Sequence, residues 1–76
     1  MMHQSGLVLD RIAALQRVTF LPGSSHKRFA REIGQTDPRH FTTSQVRHVA
    51  RLAWRYRRQM PEHLVPPTDP DKDTAP

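Results

Sequence analysis

The chain has 76 residues, no cysteine, a formal net charge of +5 and an isoelectric point near 11.1. That length suits one small domain, the lack of cysteine excludes disulfides and thiolate metal sites, and the longest apolar run, residues 6–9, is too short for a membrane span or a signal peptide. We therefore expect a soluble, cytoplasmic protein.

The first predicted helix spans residues 6–18. The apolar residues of its inner face recur at helical spacing and are Val8, Ile12 and Leu15. Ser5 precedes them and is expected to cap the N-terminus of the helix. Pro22-Gly23 is a common turn pair, so the chain should reverse there.

The second predicted helix is short and covers residues 25–33. Arg28 and Glu32 stand one helical turn apart and can form an ion pair. Gly34 follows at the position where glycine commonly caps a helix C-terminus. A polar connection of about eight residues then leads onward, which is longer than the three or four residues of a helix-turn-helix.

The third predicted helix covers residues 43–60 and has the clearest start signal in the chain. Thr42 and Gln45 have the spacing of a capping box, in which each side chain bonds the backbone N–H of the other residue. Phe41 and Val46 can clasp across the turn as a hydrophobic staple. The proline that follows residue 60 should end the helix.

Together these elements predict an all-α domain of three helices over residues 1–61, with a flexible Pro/Asp-rich tail over residues 62–76. The tail buries too little apolar surface to offset the entropy of ordering, although Leu64 and Val65 can pack back on the body. About a dozen apolar side chains are available for the core. Stability should therefore be marginal, and a homodimer or a partner complex would add to it.

Charge is distributed unevenly along the chain. Residues 1–60 carry eleven lysines and arginines against three acids, a net +8, whereas residues 61–76 carry one lysine against four acids, a net −3. A basic body with an acidic tail indicates a polyanionic partner. The alternative is a basic surface that serves only solubility.

One side of the third predicted helix is rich in arginine. On a helical wheel four cations share an arc of about 80°, and they are Arg47, Arg51, Arg55 and Arg58. The helix contains no Asp, Glu or Lys, and unneutralised arginines repel one another, so this side favours a binding surface over a merely solvated one. His48 flanks the arginines and could add charge at mildly acidic pH. Arg57 falls on the apolar side, so it either extends its charge into solvent from the end of the core or marks where packing stops.

Trp54 lies on the border between the arginine side and the apolar side. It could stack on a base or fill a pocket of a partner. The alternative is a half-buried tryptophan that belongs to the core.

A second basic cluster opens the second helix, where residues 24–28 read Ser-Ser-His-Lys-Arg. Free N–H groups at a helix start attract anions, so Lys27 and Arg28 are predicted as a second anion contact. The alternative is that Ser25 simply caps the helix and the cations face water.

The sequence disfavours an enzyme. The five histidines have no recognised metal-ligand spacing, four of the seven acids lie in the tail, and no glycine-rich phosphate loop occurs. We therefore expect no catalytic residue, no metal and no cofactor.

Four stretches of the chain stand out in combination, and they are Val18–Ser24, Lys27–Arg31, Thr42–Gln45 and Trp54–Met60. In their spacing they resemble small proteins carried by bacterial phages and plasmids, over roughly residues 17–61. That group has no established activity, so the resemblance implies an accessory role on a mobile element, including inhibition of a host defence complex, and no site residues.

The sequence thus predicts a non-enzymatic protein that binds nucleic acid, DNA or RNA, through the arginine side of the third helix. The alternative is a protein-interaction module, an inhibitor or adaptor, that docks the same arginines on an acidic partner surface. The acidic tail could also occupy the arginines until a polyanion displaces it. Deleting residues 66–76 would then tighten binding.

Overall fold

Three α-helices and three short 3-10 turns make up the computed structural model, which describes residues 3–70 and their side chains from residue 6. The helices are α1 (His3–Leu15), α2 (His26–Gly34) and α3 (Thr43–Arg55), and the 3-10 turns are Pro38–His40, Arg57–Gln59 and Glu62–Leu64. No strand occurs among the described residues. The predicted all-α class with three helices is confirmed.

Helix α1 is shifted toward the N-terminus relative to the predicted range of 6–18. Its first residue is His3, so Ser5 lies inside the helix and the predicted N-cap is wrong. Its last residue is Leu15. Beyond it the backbone hydrogen bonds join residues three apart, as in the bond from the Val18 N–H to the Leu15 carbonyl at 3.2 Å. This tightening turns Val18 into the core, where it is buried.

Helix α2 lies close to α1, and Gln16 joins the two. Its amide nitrogen donates to the Ala30 carbonyl at 2.8 Å and to the Ile12 carbonyl at 3.1 Å. A Cβ at Gly34 would lie 2.9 Å from the same nitrogen, so the absence of a side chain there makes room for Gln16. The predicted C-cap at Gly34 is wrong. Gly34 is the last residue of α2, and Gln35 occupies the cap position.

The start of α2 differs in part from expectation. Ser25 is the N-cap residue but its side chain forms no capping hydrogen bond, and the Ser24 hydroxyl donates instead to the Leu21 carbonyl at 2.8 Å. Within this turn Gly23 has a φ of +79°, a conformation that suits glycine. The predicted ion pair between Arg28 and Glu32 is confirmed at 3.2 Å.

Helix α3 starts at Thr43, as predicted, because its capping box is complete. The Thr42 hydroxyl accepts from the Gln45 N–H at 3.1 Å, and the Gln45 amide oxygen accepts from the Thr42 N–H at 2.9 Å. Phe41 and Val46 are both partly buried against the core. Their mutual contact as a staple stays a prediction.

The predicted end of α3 at residue 60 is wrong, because the α-helix ends at Arg55. Tyr56, at the C-cap, is buried, and its hydroxyl accepts from the Leu21 N–H at 3.2 Å and lies 2.8 Å from Nδ1 of His26. The Phe20 ring meets the Tyr56 ring edge-on at a centroid distance of 5.0 Å. These contacts with distant parts of the chain accompany a change of backbone direction at Tyr56, and a 3-10 turn follows.

The core lies where α1 packs against α3 and α2. Its buried apolar side chains are Val8, Ile12, Leu15, Val18, Ala30, Ile33, Val49, Leu52, Ala53, Tyr56, Met60 and Leu64. Leu64 belongs to the predicted tail, and the Arg11 Nε donates to its carbonyl at 2.8 Å. The return of Leu64 and Val65 onto the body is thus confirmed. Residues 71–76 lie outside the described residues, and the flexibility of the tail stays a prediction.

Candidate functional site

The exposed face of α3 carries three of the four predicted arginines. Arg47, Arg51 and Arg55 are all exposed and span about 12 Å of helix axis at 1.5 Å per residue. The side chains of Arg47 and Arg55 form no hydrogen bond or ion pair with residues 3–70. Arg51, in contrast, does take part in an interaction of its own. Helix α3 has no acidic residue, so no carboxylate on the same helix neutralises them.

Arg58 is exposed but does not belong to α3. It stands on the 3-10 turn Arg57–Gln59, because the α-helix has already ended at Arg55. Like those of Arg47 and Arg55, its side chain forms no hydrogen bond or ion pair within the described part of the chain. Arg58 lines one concavity together with Arg51 and Arg55. Its position there depends on the 3-10 turn that follows α3 and not on the periodicity of the α-helix.

An open concavity of about 750 Å³ lies between the C-terminal half of α3, the 3-10 turn that follows it, and the segment around Thr19 and Leu21. The cations that line it are Arg51, Arg55, Arg57 and Arg58. Asp69 is the one acidic side chain among its lining residues in the described structure. Arg47 does not line it and lies further along α3.

Trp54 and Arg57 form a stacked pair at this concavity. The Arg57 guanidinium lies 4.3 Å from the centroid of the indole ring, and its Nη1 donates to the Trp54 carbonyl at 3.0 Å. Trp54 is half-buried and is not one of the core residues. Arg57 is exposed and stands on the 3-10 turn, because the α-helix has already ended at Arg55.

His48 is less available for charge than the sequence indicated. Its ring is half-buried, with its centroid 4.1 Å from that of Phe29. Burial lowers the pKa of His48, and the positive charges of Arg51 and His26 lower it further. These effects oppose the charge that we expected of His48 at mildly acidic pH.

The second predicted cluster is divided by the geometry of α2. The Arg28 guanidinium is engaged with Glu32, whereas Lys27 has no such partner among residues 3–70. Lys27 instead lines a small concavity of about 100 Å³ together with Arg31, one helical turn away. Sequence reasoning missed Arg31, although its spacing of four residues from Lys27 was the available signal.

No protein family, curated protein or solved structure matches this chain. Within residues 3–70, no cluster of three His, Cys, Asp or Glu side chains is placed to hold a metal ion. In the same residues, no helix has the length and apolarity needed to cross a membrane. Fold and surface together define a small all-α protein with an arginine-rich surface.

Proposed function

We propose that this protein binds nucleic acid without catalysing a reaction, and that its exposed arginines contact the phosphates. The observation that carries the proposal is the state of Arg47, Arg55 and Arg58. All three side chains are exposed, and none of them forms a hydrogen bond or ion pair with residues 3–70. No donor of these three guanidinium groups is therefore used by residues 3–70.

The chemistry of guanidinium explains why phosphate is a suitable ligand. Each arginine presents parallel N–H donors that can bond two oxygens of one phosphate, and it keeps its charge at all physiological pH values. Neighbouring arginines repel each other, and a bound polyanion removes this repulsion while releasing its own condensed counterions. Both effects favour a partner with regularly spaced negative charge.

The alternative partner is an acidic protein surface, which would satisfy the same charges. The stacked pair of Trp54 and Arg57 favours nucleic acid, because unpaired bases present flat π-faces that stack on aromatic rings and guanidinium planes. A pull-down from host lysate with and without nuclease would separate the two partner classes. The role on a mobile element, which the resemblance implied, stays a prediction under either one.

Binding of mixed-sequence DNA and RNA oligonucleotides at about 50 and 200 mM salt tests the proposal, since counterion release changes affinity strongly over this range. We expect binding at the lower salt that weakens steeply at the higher salt. Absence of binding to both nucleic acids at the lower salt would rule the proposal out.

A triple substitution of Arg47, Arg55 and Arg58 by glutamine tests the assignment of the surface. The plot of log affinity against log salt concentration should become less steep by about 2 to 3, because each lost phosphate contact lowers the magnitude of its slope by about 0.7 to 0.9. The matched control replaces Arg17, Arg39 and Lys72 by glutamine, which gives the same change in net charge. Equal losses in the two triple variants would show that net charge, and not this surface, governs binding.

A further inference from the structure

We infer that the ligand is single-stranded, with one nucleotide seated in the concavity beside α3, its base stacked on the Trp54–Arg57 pair and its phosphates on Arg55 and Arg58. This inference rests on the proposed function and narrows its substrate class. Four features of the concavity carry it: volume, charge, the aromatic wall and a rigid floor.

The volume of the concavity suits a nucleotide rather than a duplex. About 750 Å³ falls within the range of about 300–1,000 Å³ that small-molecule sites occupy. In a duplex the bases are stacked inside, so a protein can reach their faces only after extruding them at a cost in unpairing. Single strands present those faces without this cost.

The charge of the concavity is arranged for phosphate on either side of a base. Arg55 and Arg58 both line it, and neither has a partner within residues 3–70. They belong to different elements, since Arg55 ends α3 and Arg58 lies on the following 3-10 turn. Because the α-helix ends between them, two guanidinium groups without a partner in residues 3–70 line one concavity instead of one straight helix face.

The aromatic wall is held in place before any ligand arrives. The bond from Arg57 Nη1 to the Trp54 carbonyl keeps the guanidinium over the indole ring, so Arg57 does not have to be ordered on binding. A guanidinium plane stacked on a ring extends the flat surface that a base can cover. Base stacking on such a platform is sequence-tolerant, because every base has a π-face.

The floor of the concavity is rigid. The Tyr56 hydroxyl accepts from the Leu21 N–H at 3.2 Å and lies 2.8 Å from Nδ1 of His26. Edge-on ring contacts with Phe20 at 5.0 Å and His26 at 5.6 Å fix Tyr56 further. These contacts tie the Tyr56 side of the concavity to α2 and to the segment that precedes α2.

Trp54 is the one tryptophan of the chain, so its fluorescence reports directly on the concavity. The experiment titrates the full-length protein with three ligands of equal length: a mixed-sequence single strand, an abasic strand with the same phosphates, and a duplex. We expect quenching and the tightest binding with the intact strand. The abasic strand and the duplex should bind more weakly and leave the fluorescence nearly unchanged.

Two outcomes are distinguishable. Equal affinity and equal quenching with intact and abasic strands would overturn the seating of a base but leave phosphate binding in place. Absence of binding to all three ligands at about 50 mM salt would overturn the proposed function itself.

Substitutions separate stacking from charge. In Trp54→Ala and Trp54→Phe the reporter is lost, so the anisotropy of a dye-labelled strand measures their affinity. Trp54→Ala should weaken binding of the intact strand by about 5- to 150-fold, the range that corresponds to loss of one stacked base, while Trp54→Phe should retain most of the affinity. Arg57→Gln leaves the ring in place and should weaken the intact strand more than the abasic one. Its matched control, Arg17→Gln, removes the same charge and should affect both strands equally. If Arg57→Gln also affected both equally, Arg57 would be a phosphate contact only.

Discussion

The side-chain amide of Gln59 hydrogen-bonds both backbone groups of Thr19, accepting from its N–H at 2.9 Å and donating to its carbonyl at 3.0 Å. A carboxamide has the same kinds of donor and acceptor as a peptide group. The Gln59 side chain therefore hydrogen-bonds the Thr19 backbone as a residue of a neighbouring strand would. Residues 17–20 read Arg-Val-Thr-Phe, which has β-type character, and no strand lies among the described residues to pair with them. The same two bonds fix the 3-10 turn that carries Arg57 and Arg58.

Gln59→Ala should lower the free energy of unfolding by about 1–2 kcal/mol, because two hydrogen bonds contribute about 0.5–1.5 kcal/mol each and this pair is exposed. Urea denaturation measures the change. Gln35→Ala is the matched control, since the Gln35 side chain is exposed and forms no hydrogen bond with residues 3–70. Equal stabilities of the two variants would show that the Gln59 bridge does not stabilise the fold.

Stability should depend on pH through His48, whose pKa is lowered by burial first and then by Arg51 and His26. The unfolded chain, with an ordinary histidine pKa of about 6.5, takes up the proton more readily than the folded one. His48 therefore contributes its full stability above that pH, and the contribution is lost as the pH falls below it.

Urea denaturation at a series of pH values, together with an NMR titration of the ring, checks the contribution of His48. His48→Gln should remove part of the loss of stability on acidification. Arg51→Gln should raise the midpoint of the His48 titration, whereas Arg47→Gln, the same charge change at a residue that is not a cause of the shift, is the control. A midpoint for His48 above its ordinary value would contradict the expectation.

The capping box should make a measurable contribution to α3. Thr42→Ala is expected to cost about 1 kcal/mol of stability, because it leaves the Gln45 N–H without its partner. Thr42→Ser keeps the hydroxyl and should restore most of the loss. Thr43→Ala, one residue further on and outside the box, is the control in thermal unfolding. A cost at Thr43 as large as at Thr42 would argue against the cap.

The start of α3 was predictable because a capping box is local, involving residues three apart in the sequence. Its end was not, because it depends on Tyr56 and Gln59 bonding to Leu21 and Thr19, which lie 35 and 40 residues away. A helical wheel assumes that the helix continues, so its angles do not apply to Arg57 and Arg58, which follow the end of α3. The exposed arginines on α3 itself follow from periodicity alone and were placed correctly.

Arginine and lysine should not be interchangeable at this surface. Replacing Arg47, Arg55 and Arg58 together by lysine keeps the charge, so the salt dependence of oligonucleotide binding should change little. Affinity should nevertheless fall several-fold, because an ammonium cannot bond one phosphate through a planar pair of donors. Fluorescence titration at several salt concentrations distinguishes the two effects. Unchanged affinity would mean that the guanidinium geometry is not used.

The acidic tail should weaken binding, since Asp69 lines the same concavity as Arg55 and Arg58. Asp69→Asn is expected to tighten oligonucleotide binding by more than Glu62→Gln, an equal charge change at an exposed residue outside that lining. A deletion should begin at residue 68 rather than 66, because Pro66 is buried. Equal effects of the two substitutions would limit the tail to a general electrostatic influence.

The bond from Arg11 to the Leu64 carbonyl joins residues that are 53 positions apart, and Leu64 fills part of the core. During translation, α1 emerges from the ribosome long before residue 64 is released. The nascent chain therefore carries an apolar helix face that its last core residue cannot yet cover. Apolar surface that is transiently exposed in this way favours aggregation until residue 64 can pack.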